Sequence, residues 1–268
     1  MTETKILEEK EDIVMKARFY VFLMVMIMVL GISSVGFAGS KVLISTNPWG
    51  ANTDVSNMTD VFGAAGFTTY TDFGTATAAD IFKSGNDFVM LEGGDGTAAA
   101  WRSYVVANAA TIQSWVNAGG ALLVMSASWD ATGLTFGAGT ISGETNLAGT
   151  ATLTAAGQAA FTYFSTPVTQ SGNYMAHGSI SGTGLTSFVT GNGLDVVAGI
   201  DDGAGYIMYS GLTDSQYHYS GNGLVDNVIA YTNAQAGTTG TTVPEPATML
   251  LLGLGLVGLA GARRKFKK

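Results

Sequence analysis

The residue types able to do chemistry are few and widely spaced. Acidic glycine turns come first: Glu92, Gly93, Gly94, Asp95 and Gly96, and later Asp201, Asp202 and Gly203. Carboxylates on turns are the oxygen donors that hard cations such as calcium take. The spacing lacks the alternating ladder of a calcium loop, and Asp-Gly pairs are ordinary turn chemistry, so no metal site is assigned. The same glycines make no phosphate cradle, because no Lys with Ser or Thr follows in register. His177, between Ala176 and Gly178, has two readings: a pocket acid or base, or a loop anchor bonded to backbone. Two histidines, His177 and His218, build no zinc site without carboxylates at a short fixed spacing. The chain has no cysteine, which removes disulfides, thiolate metal sites and thiol nucleophiles together. Trp49, Trp129, Tyr217 and Tyr219 stand among Asn, Asp and Ser, a setting suited to stacking on sugar rings, although loop aromatics also cap cores. No cofactor is expected.

Charge is distributed unevenly along the 268 residues. The chain holds 12 basic and 20 acidic residues, but nine of the basic ones lie at the two ends. Between Gly39 and Pro246 only Lys41, Lys83 and Arg102 remain against fifteen carboxylates, a net charge near −12. Such a body repels phosphate backbones and releases almost no counterions on meeting them, so nucleic-acid binding is excluded. The span 41–233, about 190 residues, is long enough for one packed domain. Residues 234–243 contain Gly and Thr with little to bury and read as a flexible linker.

The body begins with a rhythm of strand and helix. Residues 41–46 form a continuous apolar run, which predicts a strand buried on both faces. Val55, Met58, Val61 and Phe62 recur at helical spacing behind Thr53 or Asp54 as N-cap, with Gly63 or Gly66 as the stop. Strands are predicted at 67–71 and 87–91, a short helical turn at 80–82, and a long helix over 101–118 ended by Gly119 and Gly120. Another apolar strand follows at 121–125. Strand alternating with helix implies right-handed crossovers and a parallel sheet. Later segments predict a helix at 154–164, strands at 195–200 and 206–210, and a closing helix at 223–233, with 131–149 as loop or irregular hairpin. No internal repeat is evident.

The two ends carry addresses. Lys16 and Arg18 precede the apolar run 19–32 and the small residues Ser33, Ser34, Gly36 and Ala38. A positive start, a hydrophobic middle and a small-residue exit predict a secretory signal peptide over 1–38, cleaved after Ala38, with Met15 as the true start; an uncleaved anchor is the alternative. At the other end Pro244, Glu245 and Pro246 precede the apolar segment 247–262 and the basic stop Arg263, Arg264, Lys265, Lys267 and Lys268. The apolar part can enter lipid while the cations stay cytoplasmic, and ordinary tail anchoring is the alternative to processing. The three-part ending, 244–268, resembles the PEP-CTERM sorting signal of Gram-negative bacteria. That resemblance implies export by the secretion machinery, transient contact with the inner membrane, and removal of the tail by an exosortase-type membrane protease. It further implies a cell-envelope, surface or extracellular destination and a setting of exopolysaccharide production.

Residues 87–94, the helix after them and 115–124 also resemble the class I glutamine amidotransferase-like fold. The expected class is therefore α/β: a flavodoxin-like three-layer sandwich with a mostly parallel sheet. In that family a nucleophilic cysteine follows the strand matching 121–125; here the place is taken by Ser126, Ala127 and Ser128. The family's histidine falls near His218, but Ser220 stands where its carboxylate partner would be, leaving Asp214 or Asp226. The Gly-x-Ser-x-Gly pattern that relieves crowding at a nucleophile elbow is absent. The expectation is an exported, non-catalytic surface or matrix protein contacting exopolysaccharide. The alternative is a serine-dependent hydrolase or degenerate amidotransferase-like enzyme using Ser126 or Ser128, His218 and Asp214 or Asp226.

Overall fold

A computed structural model describes residues 39–46, 53–127, 132–143, 147–213 and 223–237. The leader 1–38, the sorting segment 244–268, Ser128, Asp214, His218 and the aromatics Trp49, Trp129, Tyr217 and Tyr219 lie outside these residues.

The most apolar stretches form the centre of one sheet. Strands β1 (Ser40–Ser45), β2 (Phe67–Tyr70), β3 (Asn86–Glu92) and β4 (Ala121–Met125) are joined through α1 (Thr53–Phe62), α2 (Ala78–Ile81), α3 (Ala98–Ala107) and α4 (Ala109–Asn117). They pair in parallel in the order β2-β1-β3-β4. Continuous apolar strands need cover on both faces, and they have it. Leu43, Met90 and Leu123 pack with Met58 of α1 and with Leu224, Val228 and Ile229 of α6 (Leu224–Ala234). Val42, Val89 and Leu122 pack with Ile81, Trp101, Ile112 and Trp115 on the other side.

Beyond β4 the sheet changes character. Strands β5 (Leu134–Phe136), β6 (Gly139–Ile141) and β7 (Leu147–Leu153) precede α5 (Ala155–Ala160). Then come β8 (Thr169–Ala176), β9 (Ile180–Gly182), β10 (Thr186–Gly191), β11 (Leu194–Asp202) and β12 (Gly205–Ser210). The main path runs β2-β1-β3-β4-β12-β11-β10-β7-β8. β12 lies parallel to β4, but every further pairing is antiparallel. The mostly parallel, flavodoxin-like or glutamine amidotransferase-like three-layer sandwich is thereby overturned. This is a mixed sheet in which seven antiparallel pairings outnumber four parallel ones among the described residues.

The reason is local. A parallel crossover needs a dozen or more residues, usually a helix, whereas an antiparallel pair closes with two. Between β10 and β11 stand Asn192 and Gly193, both left-handed at φ 50° and 79°. That is the two-residue hairpin turn whose twist matches paired strands. The predicted helix at 101–118 is two helices meeting at Asn108, whose side-chain amide donates to the Tyr104 carbonyl at 2.8 Å alongside its own backbone N–H at 3.1 Å. The predicted helix at 154–164 stops at Ala160. At the far end α6 reaches Ala234, and Gly237 N–H donates to Gly119 O at 2.9 Å, so ordered structure enters the segment read as linker. No helix among the described residues is long and apolar enough to cross a membrane.

Buried tyrosines bind the two halves. The Tyr209 hydroxyl donates to Phe136 O at 2.7 Å and accepts from Gly139 N–H at 3.2 Å, pinning the β5–β6 hairpin to the sheet. Burial pushes Tyr104 up to about 12, helped by Tyr70 nearby. Burial is also the main cause raising Tyr206, Tyr209 and Tyr231. These phenols stay neutral in the fold where an unfolded tyrosine ionises, near pH 10. Their contribution is therefore complete below about pH 10 and is lost as pH rises toward the folded values. The melting temperature should be insensitive to these groups from pH 7 to 9 and fall steeply above 10. Each of the buried phenols Tyr104, Tyr206 and Tyr209 removes up to about 1.4 kcal/mol per pH unit there. Tyrosinate absorbance should appear together with unfolding; ionisation with the fold intact would refute this.

Candidate functional site

Polar side chains that the core would ordinarily exclude gather at the carboxyl ends of the parallel strands. Ser45 ends β1, Glu92 ends β3, Ser126 follows β4 and Ser210 ends β12. Ser45, Glu92, Met125 and Ser210 are successive partners across the sheet, so their side chains share one face. Asp54 and Asn57 reach the same end from the first turns of α1. All are buried: Asp54, Glu92 and Ser210 have no exposure, Asn57 has 1 %, Ser126 2 % and Ser45 3 %.

Buried charge persists only where hydrogen bonds replace water. The Ser45 hydroxyl donates to Asp54 Oδ2, and Asp54 also sits at a helix start, where the backbone dipole favours an anion. Glu92 Oε1 accepts from Gly94 N–H at 2.8 Å. The glycine is needed next door, since a Cβ on Gly93 would fall 2.0 Å from the Trp101 ring.

Ser126 is placed as a tie. Its N–H donates to Ser210 O at 2.9 Å and its hydroxyl donates to Gly93 O at 3.0 Å. A hydroxyl spent on a carbonyl and 2 % exposed holds the β3 and β4 ends together. His177 arrives from the end of β8 with its side chain fully buried, and its N–H donates to Gly211 O at 2.9 Å. Ser126 and His177 are thus held by consecutive carbonyls, those of Ser210 and Gly211. The sequence offered no sign of that meeting, because it depends on β8 reaching β12 from across the sheet. The Ser128, His218 and Asp214 candidates lie outside the described residues. Asp226, the other carboxylate considered, lies in the first turn of α6.

The acidic turns separate. Asp201 and Asp202 close β11, which runs antiparallel to β12, so Asp201 pairs with Tyr206 and Asp202 with Gly205 at the opening of β12. Glu92 lies level with Met125 and Ser210, at the closing ends. The two turns occupy opposite edges and cannot share a cation. Asp202 Oδ2 instead accepts from the Gln113 amide at 2.9 Å, and Gly203 supplies the left-handed turn with φ 63°. No group of three or more potential metal ligands converges among the described residues.

The chain is similar to known proteins in a motif at one end and in weak likenesses of shape. No curated protein matches the chain. A cytoplasmic protein from Salmonella typhimurium is 11% identical over 73% of this chain and 97% of its own, with a TM-score of 0.46. A cold-adapted β-galactosidase from Rahnella sp. R3 is 13% identical over 73% of this chain and 31% of its own, with a TM-score of 0.41. An exo-β-1,4-mannosidase from an Opitutaceae bacterium is 14% identical over 73% and 35%, with a TM-score of 0.40. The decisive match is at the C-terminus. Residues 242–265 carry the PEP-CTERM protein-sorting motif, which marks an exported protein, processed by the membrane protease exosortase and sorted to the cell envelope.

Proposed function

We propose that the chain is made with a leader removed after Ala38 and becomes a non-catalytic surface or extracellular-matrix component that contacts exopolysaccharide. The observation that carries this reading is the sorting motif over 242–265. The body's charge agrees with it. Three cations against fifteen carboxylates suit a hydrated exterior and disfavour nucleic acid. The hydroxyl of Ser126, buried and donated to Gly93 O, supports a structural part for the residue first in line as nucleophile.

A second reading, a serine-dependent hydrolase using Ser128, His218 and Asp214, has one observation in its favour. Asp54 and Glu92 are fully buried at the carboxyl ends of the parallel strands, where open sheets bind ligands. Alanine at Ser126, Ser128 and His218 separates the readings. Surface display and co-sedimentation with the producer's exopolysaccharide should survive all three changes within twofold. An esterase or amidase activity lost in folded variants would decide for the hydrolase. Intact-mass measurement of the native protein fixes both of its ends at once.

A further inference from the structure

The first described residue makes a contact whose chemistry changes when the leader is removed. Gly39 N–H donates to Asp87 Oδ2 at 2.5 Å, and Ser40 N–H donates to Gly85 O at 2.7 Å before β1 begins pairing. The approach is too close for any side chain, since a Cβ on Gly39 would fall 1.8 Å from Asp87 Oδ1. A compact unit also begins at Gly39, the residue that cleavage after Ala38 would expose.

We infer that the body contains a receptor for its own processed amino terminus, in which the Asp87 carboxylate binds the α-ammonium that cleavage creates on Gly39. This rests on the leader-removal reading. Hydrolysis of the bond between Ala38 and Gly39 adds water's hydroxyl to the Ala38 carbonyl. The Gly39 nitrogen leaves as an amine and takes a further proton from solvent. A neutral donor with one proton thus becomes a cation with three, and a hydrogen bond to a carboxylate becomes charge-assisted on both sides.

The surroundings suit that change. Among the described residues, Asp87 is the one charged side chain lining a cavity of about 750 Å³ beside Ser84, Thr111, Ser114 and Trp115, so no rival acid stands on that side. Lys41 Nζ, 3.3 Å from the same Oδ2, is the other charge that faces it. It leaves Asp87 Oδ1 without a bonded partner among the described groups. The carboxylate side chain is about one-third exposed, at 34 %. Before cleavage the site holds an ordinary amide. Afterwards it holds an ion pair that anchors β1, an inner strand of the parallel group between β2 and β3. Maturation therefore tightens the fold it releases.

The test uses the mature protein recovered from the envelope, with its first residue determined. Labelling of the α-amine by an acylating ester at pH 7 should be roughly tenfold slower in the wild type than in Asp87→Asn, as one unit of added basicity requires. Lys41→Gln should keep the slow rate, because the ammonium retains its carboxylate. Chemical acetylation of the wild-type amine should lower the melting temperature by about 2–4 °C, a readout that stands even if Asp87→Asn does not fold. A protein starting at Gly39 whose amine reacts equally in wild type and Asp87→Asn, or whose stability ignores acetylation, overturns the receptor alone. A mature chain starting at any other residue overturns the leader reading and the receptor with it.

Discussion

With Pro244 and Glu245 both changed to alanine, the protein should stay in the membrane fraction with its C-terminal tail attached. The turn dipeptide and carboxylate stand at the head of the motif that spans 242–265. Proline fixes its own backbone angle and removes a donor, and Pro246 biases the preceding Glu245 away from helical backbone, so the triplet offers a restricted shape for recognition. Behind it stand an apolar segment, 247–262, of a kind that can enter lipid, and the basic cluster Arg263, Arg264, Lys265, Lys267 and Lys268, which resists crossing. Losing the recognition element leaves the span and the stop intact, so the unprocessed form should exceed nine-tenths of the total. Immunoblots of membrane and extracellular fractions, with intact masses, measure it. A wild-type protein that still ends in Lys268 would sink the processing idea.

Asn227→Ala should be among the most damaging single changes to the fold, costing about 2–4 kcal/mol. Its side chain has no exposure. Oδ1 accepts from the N–H groups of Tyr163 and Phe164 at 2.9 and 3.0 Å. Nδ2 donates to Phe164 O, Thr166 Oγ1 and Gly223 O at 2.8, 2.8 and 2.9 Å. One amide thus replaces the hydrogen bonds that the 163–166 connection would otherwise make to water. Truncation removes the partner of two part-buried N–H donors and one carbonyl of that connection. Asn227→Asp should be worse than alanine, because it swaps the donor end for buried negative charge facing carbonyl oxygen. Both orders follow from denaturant midpoints at constant slope. A loss below about 0.5 kcal/mol for Asn227→Ala would show that the connection needs no anchor.

The parallel group was legible because its strands are apolar without interruption. Residues 41–46, 87–91 and 121–125 read as strands and form β1, β3 and β4 within a residue or two. Wholly buried strands announce themselves by composition. The antiparallel half was legible only at 195–200, which falls in β11, and in the hairpin of β5 and β6 within 131–149. The strands β7 (LAGTATL), β8 (TQSGNYMA) and β10 (TSFVTG) are rich in Gly, Ser and Thr. They are stabilised by partners far along the chain, not by local pattern. Asn192 and Gly193 did advertise a hairpin, and extending the crossover rhythm past β4 overlooked them.

The candidate site divides in the same way. Glu92 was visible as a strand-ending acid and Ser126 as a residue after a strand; Thr53 or Asp54 was expected as a helix cap, but both lie inside the helix, Asp54 in its first turn. That they share one edge with Ser45, Ser210 and His177 needed strand order and register, which join residues more than a hundred apart. Asp201 and Asp202 show the converse. Their turn was read correctly as a turn, yet reversing the direction of β11 moved it to the opposite edge.

The chain's own text determined where the protein goes and which strands are wholly buried, since charge at the ends and unbroken apolar runs act through local partition between water, lipid and core. Only the tertiary structure decided which polar groups meet, because sheet order sets distances between residues that no local preference brings together.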